Sequence, residues 1–449
     1  MGKKFAVAFA LVALMAAPAF ASVQNVKVGG SLDTVSVIRN GFDLGNVNAT
    51  ARENNRTQNV VMGRVMLNVE ADLTDNVSTK IGLLNERLWG TAESSVNSSM
   101  LVDTAYVTMK ELLYSPLTVT VGRQPLTYGN KLIIGDGDGS GLAAVSDLTG
   151  GVNFDAIKAV LSYDPLTVDL FAAKSIEGKS TTASGSSGTN VFGVNANYKL
   201  GDKMSTVVEA YTFAKEVTLD SGVLNNKRGD VLYVPGLRVS TNPIEGLNAQ
   251  LEGAYQFGTL ANDAAGTQGK KNVSAYVLQG GVNYALPMVK NMKPVVAAGL
   301  TYYSGEKLPA TGAAADNKIR AYQDMFADQD VGTIWSTLFS KSNLVIAKLS
   351  GEITPVQDLT AKLTWSNLSM AQRSSSIILN RPDGTVAEAA IATSGKKQLG
   401  NELDLDLSYA YTEDVKFGVC AGYYAPGKGL SPAAQDSASQ LLSSVSVSF

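Results

Sequence analysis

The sequence predicts an all-β fold: a transmembrane antiparallel β-barrel of about 18 strands, with 16 as the alternative, carrying long outer loops and short periplasmic turns. Three observations lead there. Polar and apolar residues alternate, segment after segment, along the chain. The connections between those segments alternate between long and short. The chain opens on an export signal, yet no later stretch is apolar for long enough to cross a bilayer as a helix.

The signal is read from its three parts. Lys3 and Lys4 give a positive start, Phe5 to Ala17 an apolar core too short to span comfortably, and Ala19-Phe20-Ala21 a small-residue cleavage site after Pro18. Residues 1–21 are therefore expected to be a signal peptide, and 22–449 a single barrel. Export leaves two classes open, a soluble exported protein and a closed barrel.

The alternation favours the barrel. A transmembrane strand needs about 9–11 residues, one face toward lipid and the other toward the lumen. In Asn401–Tyr411, Leu403, Leu405, Leu407, Tyr409 and Tyr411 share one face, while Glu402, Asp404, Asp406 and Ser408 share the other. In Leu247–Gly258, Leu247, Ala249, Leu251, Tyr255 and Phe257 alternate with Asn248, Gln250, Glu252 and Gln256. Gly63–Leu73, Val191–Leu200 and Leu359–Ser366 read the same way. A β-sandwich also alternates. Here, however, the polar face is charged over its whole length while the apolar face has few charges, and aromatic residues gather at strand ends (Tyr302 with Tyr303, Tyr409 with Tyr411, Tyr423 with Tyr424) as interfacial girdles do. The chain also ends in a period-2 run, Ser443, Val445, Val447, Phe449, whose terminal aromatic suits recognition by a barrel-assembly machinery.

The connections supply the strand number. Short turns fall at Thr74–Asn76, Asp164-Pro165, Gly201–Lys203, Thr354–Asp358 and Thr412–Asp414, with somewhat longer ones at Glu111–Pro116, Thr241–Gly246 and Leu286–Lys293. Between them lie polar segments near Asn40–Asn59, Trp89–Met100, Pro125–Gly151, Ser175–Asn190, Lys215–Asp230, Thr259–Asn272, Ser304–Asn343, Met370–Gly400 and Pro426–Ser439. That pattern gives about 18 strands with both termini on the short-turn, periplasmic side. A barrel of this size encloses water unless loops fold inward. Gln124–Gly151 and Ser304–Asn343, the longest connections, are the candidates for that narrowing.

Composition removes other functions. Histidine is absent and Cys420 is the single cysteine, which excludes histidine acid–base chemistry, a disulfide within the chain and His/Cys zinc sites. Acidic residues outnumber basic ones by 40 to 37, and loss of Lys3 and Lys4 with the leader widens the margin, so nothing suggests nucleic-acid binding. Asp404 and Asp406 lie about 7 Å apart on one strand face, which reads as pore lining rather than a carboxylate catalytic pair. No enzymatic activity is expected.

Several stretches resemble the alginate export family of outer-membrane channels. They are Asn85–Gly90, Asp103–Val107, Val121-Gly122-Arg123-Gln124 with Tyr128-Gly129, Asn153–Lys158, Val168–Ala173, Gly299–Gly305 and Glu402–Pro426. The resemblance implies an 18-stranded monomeric barrel that passes a polyanionic sugar down an arginine- and lysine-lined pore. It also implies Arg87 and Arg123 as lumen positions. Strict alternation instead points Arg123 to lipid beside Val119 and Val121, so a bulge or a site above the membrane would have to turn it inward. The bland reading of both arginines is pairing with acids such as Glu86 and Asp103.

By parity the remaining candidate pore-lining residues are the basic Arg64, Lys80, Lys158, Lys199, Arg238, Lys348 and Lys362, and the acidic Glu70, Glu252, Glu402, Asp404 and Asp406. With Lys27 and Lys416 on the basic side and Asp33, Asp72, Glu86, Asp169 and Glu352 on the acidic side, acids are at least as numerous as bases on the lumen face. Rings of one sign give ion selectivity, and a mixed lumen gives little. Asp136, Asp138, Ser140 and Asp147, with Gly141, approximate a calcium-loop spacing, so an external loop carries a candidate Ca2+ site; a glycine-rich loop with solvated acids is the simpler reading. The expected function is an outer-membrane, porin-like channel for passive diffusion of hydrophilic solutes, anionic oligosaccharides among them. The alternative is a non-conducting structural or adhesion barrel with ligand-binding external loops. Expected partners are outer-membrane lipid, a hydrophilic small-molecule or oligosaccharide solute and the barrel-assembly machinery.

Overall fold

A computed structural model describes residues 24–45, 57–90, 100–135, 153–179, 186–221, 226–261, 270–287, 291–306, 317–329, 331–379 and 389–449. Eighteen long strands form the wall. They are β1 (Gln24–Asn40), β2 (Thr57–Thr74), β3 (Val77–Leu88), β4 (Leu101–Met109), β5 (Leu117–Gln124) and β6 (Phe154–Tyr163). Then come β7 (Leu166–Lys179), β8 (Ser186–Lys199), β9 (Val207–Ser221), β10 (Asn226–Ile244), β11 (Leu247–Ala261) and β12 (Lys270–Ala285). The last six are β13 (Val295–Tyr303), β14 (Leu344–Val356), β15 (Leu359–Met370), β16 (Gln398–Ala410), β17 (Val415–Pro426) and β18 (Ala438–Ser448). Each strand pairs antiparallel with its sequence neighbour, and β1 pairs with β18 from Ser31↔Ser448 to Asn40↔Ser439, which closes the barrel. Closure leaves no long edge strand with unpaired backbone groups, as a hydrocarbon environment requires.

The alternation sorts the side chains as the sequence predicts. On β16, Leu403 is 44% exposed on the outside while Glu402 is 0% exposed inside. Outward Leu67, Leu251, Leu278 and Leu349 are likewise exposed, forming an apolar wall suited to lipid. Two aromatic belts flank that wall. Tyr233, Phe257, Tyr276 and Tyr302 sit toward the long loops, with Tyr233 stacked on Phe257 at 5.2 Å and Tyr276 on Tyr302 at 5.6 Å between centroids. Tyr409, Tyr411 and Phe417 sit toward the short turns. Two members of the expected girdle pairs differ: Tyr303 and Tyr424 fall on inward parity and are buried, because neighbours in a strand face opposite ways.

Three connections are shorter than the sequence suggests. β7 continues to Lys179 and β8 begins at Ser186, β9 runs to Ser221 and β10 begins at Asn226, and β11 and β12 extend to Ala261 and from Lys270. These ends are rich in Lys, Glu, Asp, Ser, Thr, Asn and Gly, a composition that reads as loop.

The bore is filled unevenly. Its loop end holds a packed apolar cluster that includes Phe154, Phe171, Phe213, Val277, Leu344 and Leu368 from the wall, together with residues of the connections after β1, β5, β13, β15 and β17. Gly193 makes room on β8, since a β-carbon there would collide with the Phe171 and Phe213 rings. The turn end is lined by smaller and more polar groups.

Candidate functional site

The first inward segment, 125–135, follows β5. Leu126, Tyr128, Leu132, Ile133 and Ile134 are all buried, and Tyr128 stacks on Phe171 at 5.3 Å. The second, 317–343, lies between β13 and β14. Its Lys318–Ile319 pair adds in parallel to β12, and its single helical turn, α1 (Trp335–Leu338), buries Trp335 against Phe339 and Tyr424. The two segments join by backbone hydrogen bonds: Gly135 N–H to the Phe326 carbonyl at 2.8 Å, Phe326 N–H to Ile133 at 3.0 Å and Asp328 N–H to Lys131 at 3.0 Å. The Lys131 ammonium meets the Asp328 carboxylate at 2.7 Å. Both connections expected to narrow the lumen therefore enter it, and they do so as one linked body.

Wall side chains hold that body in place. Glu402 accepts the backbone N–H groups of Ile334 at 2.7 Å and Trp335 at 2.9 Å. Asp404 accepts the Thr333 hydroxyl at 2.7 Å. Gln256 binds Gln323 twice, through its carbonyl at 2.7 Å and its N–H at 2.8 Å. Gly129 N–H donates to Glu209 at 3.1 Å. Two glycines permit the approach: a β-carbon at Gly332 would strike the Glu402 carboxylate, and one at Gly422 would come within 2.6 Å of the Thr333 hydroxyl. Burial beside Asp324 and Tyr303 pushes the Tyr322 hydroxyl well above its ordinary pKa, so it stays neutral inside the plug.

Under this body lies a polar chamber of about 640 Å³ on the β11–β17 side of the bore. Among the described residues, its charged lining is Lys348, Lys362, Asp404 and Asp406. Gly281 of β12 and Gly299 of β13, directly opposite each other, leave the wall hollow there. Cys420 lines the same space on inward parity and is buried.

The predicted site residues divide into four groups. Arg87 and Arg123 are corrections to the pore-lining set. Arg87 is exposed on the outward parity of β3, opposite Gly63. Arg123 points outward on β5 and meets Asp155 at 3.7 Å, with its Nε on the Asp103 carbonyl at 3.0 Å. A bulge at Asp103 does interrupt the β3–β4 register, but β5 pairs with β6 without a slip through Gln124↔Phe154, so nothing rotates Arg123 inward. Glu252 and Glu402 do face inward, yet the inserted segments cover them: each is under 5% exposed, and Glu252 accepts the Tyr211 hydroxyl at 2.7 Å. They are anchors and not solvent-facing lining.

A third group lies in rows of opposite charge that run from strand to strand. Arg64 is opposite Asp33 and Glu86, with its Nε 3.3 Å from Glu86. Glu70 and Lys80 pair at 2.9 Å. Arg238 lies between Glu209 at 3.3 Å and Glu252 at 3.9 Å. Lys158 of β6 and Lys199 of β8 share the inward parity but stand outside those rows, Lys158 lying opposite Thr120 and Phe171 and Lys199 opposite Val207. The fourth group, Lys348, Lys362, Asp404 and Asp406, lines the chamber. Asp136, Asp138, Ser140 and Asp147 lie outside the described residues.

Sequence reasoning missed Arg39, which is fully buried on β1 with its Nε on Gln440 at 2.7 Å and its guanidinium 5.1 Å from the centre of the Phe42 ring. Inward parity with Asp33, Val35 and Val37 would have found it. The reading also missed Lys215 of β9, whose ammonium sits 4.8 Å over Phe326. No sequence signal ties those two positions together, because the contact is made by an inserted loop.

The family model for alginate export matches residues 38–443, nearly the whole barrel. The chain belongs to the alginate export family. It is thus an outer-membrane β-barrel of a channel family of Gram-negative bacteria. No curated protein sequence matches it significantly. Among solved structures, it is similar to Pseudomonas aeruginosa OccK8 (OprE), with 12% identity, a TM-score of 0.59, and coverage of 95% of this chain and 98% of that one. It is similar also to OpdO of the same organism, at 11% identity, TM-score 0.58 and coverage of 95% and 98%. A third is OpdK, whose structure was determined with vanillate, at 11% identity, TM-score 0.57 and coverage of 95% and 100%. At these identities the likeness is one of fold.

Proposed function

We propose that this member of the alginate export family is a passive, weakly charge-selective channel for small hydrophilic solutes and has no enzymatic role. The observation that carries the reading is the matching of charge on the inner face. Arg64 stands between two acids, Arg238 between two more, and Glu70 beside Lys80. The chamber balances two lysines with two aspartates. A polyanion needs an excess of positive field along its path, as a ring of one sign supplies. A matched wall offers none, so an alginate-like polymer is not the cargo this lumen favours. That OpdK was crystallised with vanillate fits the passage of small solutes through this kind of barrel.

The reading takes residues 1–21 as a cleaved signal. Its test is planar-bilayer recording of the purified barrel in a salt gradient. Open steps with a reversal potential near zero support it. A strongly anion-selective potential, or block by alginate oligomers at micromolar concentration, would return the cargo to polyanions. The apolar body across the loop end favours one competing reading, a non-conducting structural barrel. Electrical silence would favour that one.

A further inference from the structure

The chamber wall carries a row of uncharged polar groups that end at an acid. Asn283 of β12 is opposite Ala297 of β13; on the next strands Ser350, Thr364 and Asp404 follow as register partners. The row from Asn283 to Asp404 crosses five neighbouring strands and, at the usual interstrand spacing, follows roughly 19 Å of wall. One inward position closer to the loops, Gly281 and Gly299 present no side chains, so the space above the row is open. The ceiling adds carboxamides, Asn130 and Gln329 from the inserted segments, with Gln279 of the wall joined to both.

What these groups can bind follows from their chemistry. A carboxamide both donates and accepts, as does a hydroxyl, and either can pair with a sugar hydroxyl. Asn283, Ser350 and Thr364 make no side-chain hydrogen bond among the described residues, so their capacity is unspent. Asp404 is already committed to Thr333, and Lys362 faces Asp406 across the strand pair. The charges thus answer each other, while the neutral groups are the ones left for a ligand. We infer that the Asn283–Ser350–Thr364 row is a binding site for a neutral polyhydroxylated solute of disaccharide size. The inference rests on the channel reading and deepens it by naming a solute class. The one aromatic in the lining, Tyr303, is buried and offers no stacking face, so affinity comes from hydrogen bonds alone and should be weak enough for release.

Two measurements on the full-length barrel separate the inference from the channel reading. In detergent, saturation-transfer NMR with sucrose should give a saturable signal with half-saturation in the millimolar range. A size-matched dicarboxylate should give a weaker one. In bilayers, sucrose should lower the open-channel current beyond its viscosity effect. Asn283→Ala and Thr364→Val should each raise the half-saturation about threefold to tenfold, the worth of one neutral hydrogen bond. Conductance without sucrose binding, or binding that both variants leave intact, overturns the inference and spares the channel. Row-dependent binding in a silent barrel overturns the channel and spares the site.

Discussion

Removing the Glu402 carboxylate should loosen segment 331–339 inside the bore and raise the open-channel conductance. The carboxylate accepts two backbone N–H groups and is itself fully buried. Leaving the two buried N–H groups without an acceptor costs about 1–3 kcal/mol each, so Glu402→Ala removes roughly 2–6 kcal/mol of docking. Ile334, Trp335, Leu338 and Phe339 resist release, because all four are buried to 2% exposure or less. At about 1.5–3 kcal/mol for each buried side chain, their packing exceeds the loss from the single variant. Glu402→Ala alone should therefore flicker between states, with a modest rise in mean current. Adding Trp335→Ala costs about a further 3–5 kcal/mol and should release the segment. Single-channel recording reads the step size, and circular dichroism confirms an intact barrel. A folded double variant with unchanged step size and gating would refute the latch.

Other expected outcomes follow from the same contacts. Gly332→Ala drives a β-carbon into the Glu402 carboxylate and should mimic the single latch variant in gating noise, with little change in barrel stability. Lys362→Glu leaves Asp404 and Asp406 with only Lys348 to oppose them in the chamber, so the reversal potential should move toward cation selectivity. Arg123→Ala should leave that potential where it was, because the guanidinium is outside the lumen; a shift would put it back on the ion path. In the turn between β8 and β9, the Thr206 N–H and hydroxyl hold the Asp202 carboxyl below its usual pKa. Its contribution to stability is present above the unfolded-state value near 3.8 and is lost as pH falls through the depressed folded value. Asp202→Asn should therefore lower the thermal midpoint at neutral pH and narrow its gap to the wild type in acid.

The wall was legible because it obeys a local rule. With a period of two, Leu403 and Glu402 could be assigned to opposite faces from sequence alone. It also pointed Arg123 outward, against the family resemblance, and the geometry agrees with the rule. Alternation says nothing about what later covers an inward residue. Glu402 and Glu252 have the parity of pore lining, yet residues 67 and 123 positions away in the chain occupy the space in front of them. Nothing near Glu402 in sequence announces the Trp335 amide. The inserted segments were recognisable only by length, since they share no periodicity with the wall.

Those buried acids explain why the wall charges are matched. An ionised group under an inserted loop loses water and must be met by N–H donors, a hydroxyl or an opposite charge, or its desolvation is left uncompensated. Glu402 is met by two amides, and Glu252 by Tyr211 and Arg238. Each such pairing also cancels a source of field in the bore. Once the plug is in place, the charges able to act on a passing solute are those the loops leave uncovered, in the chamber and along the turn end. Selectivity in this barrel therefore depends less on how many charges face inward than on which of them the two inserted segments have already used. Unlatching the second segment should shift ion preference toward cations as well as enlarge the pore, because the carboxylate of Glu402 would then face water with its former partners withdrawn.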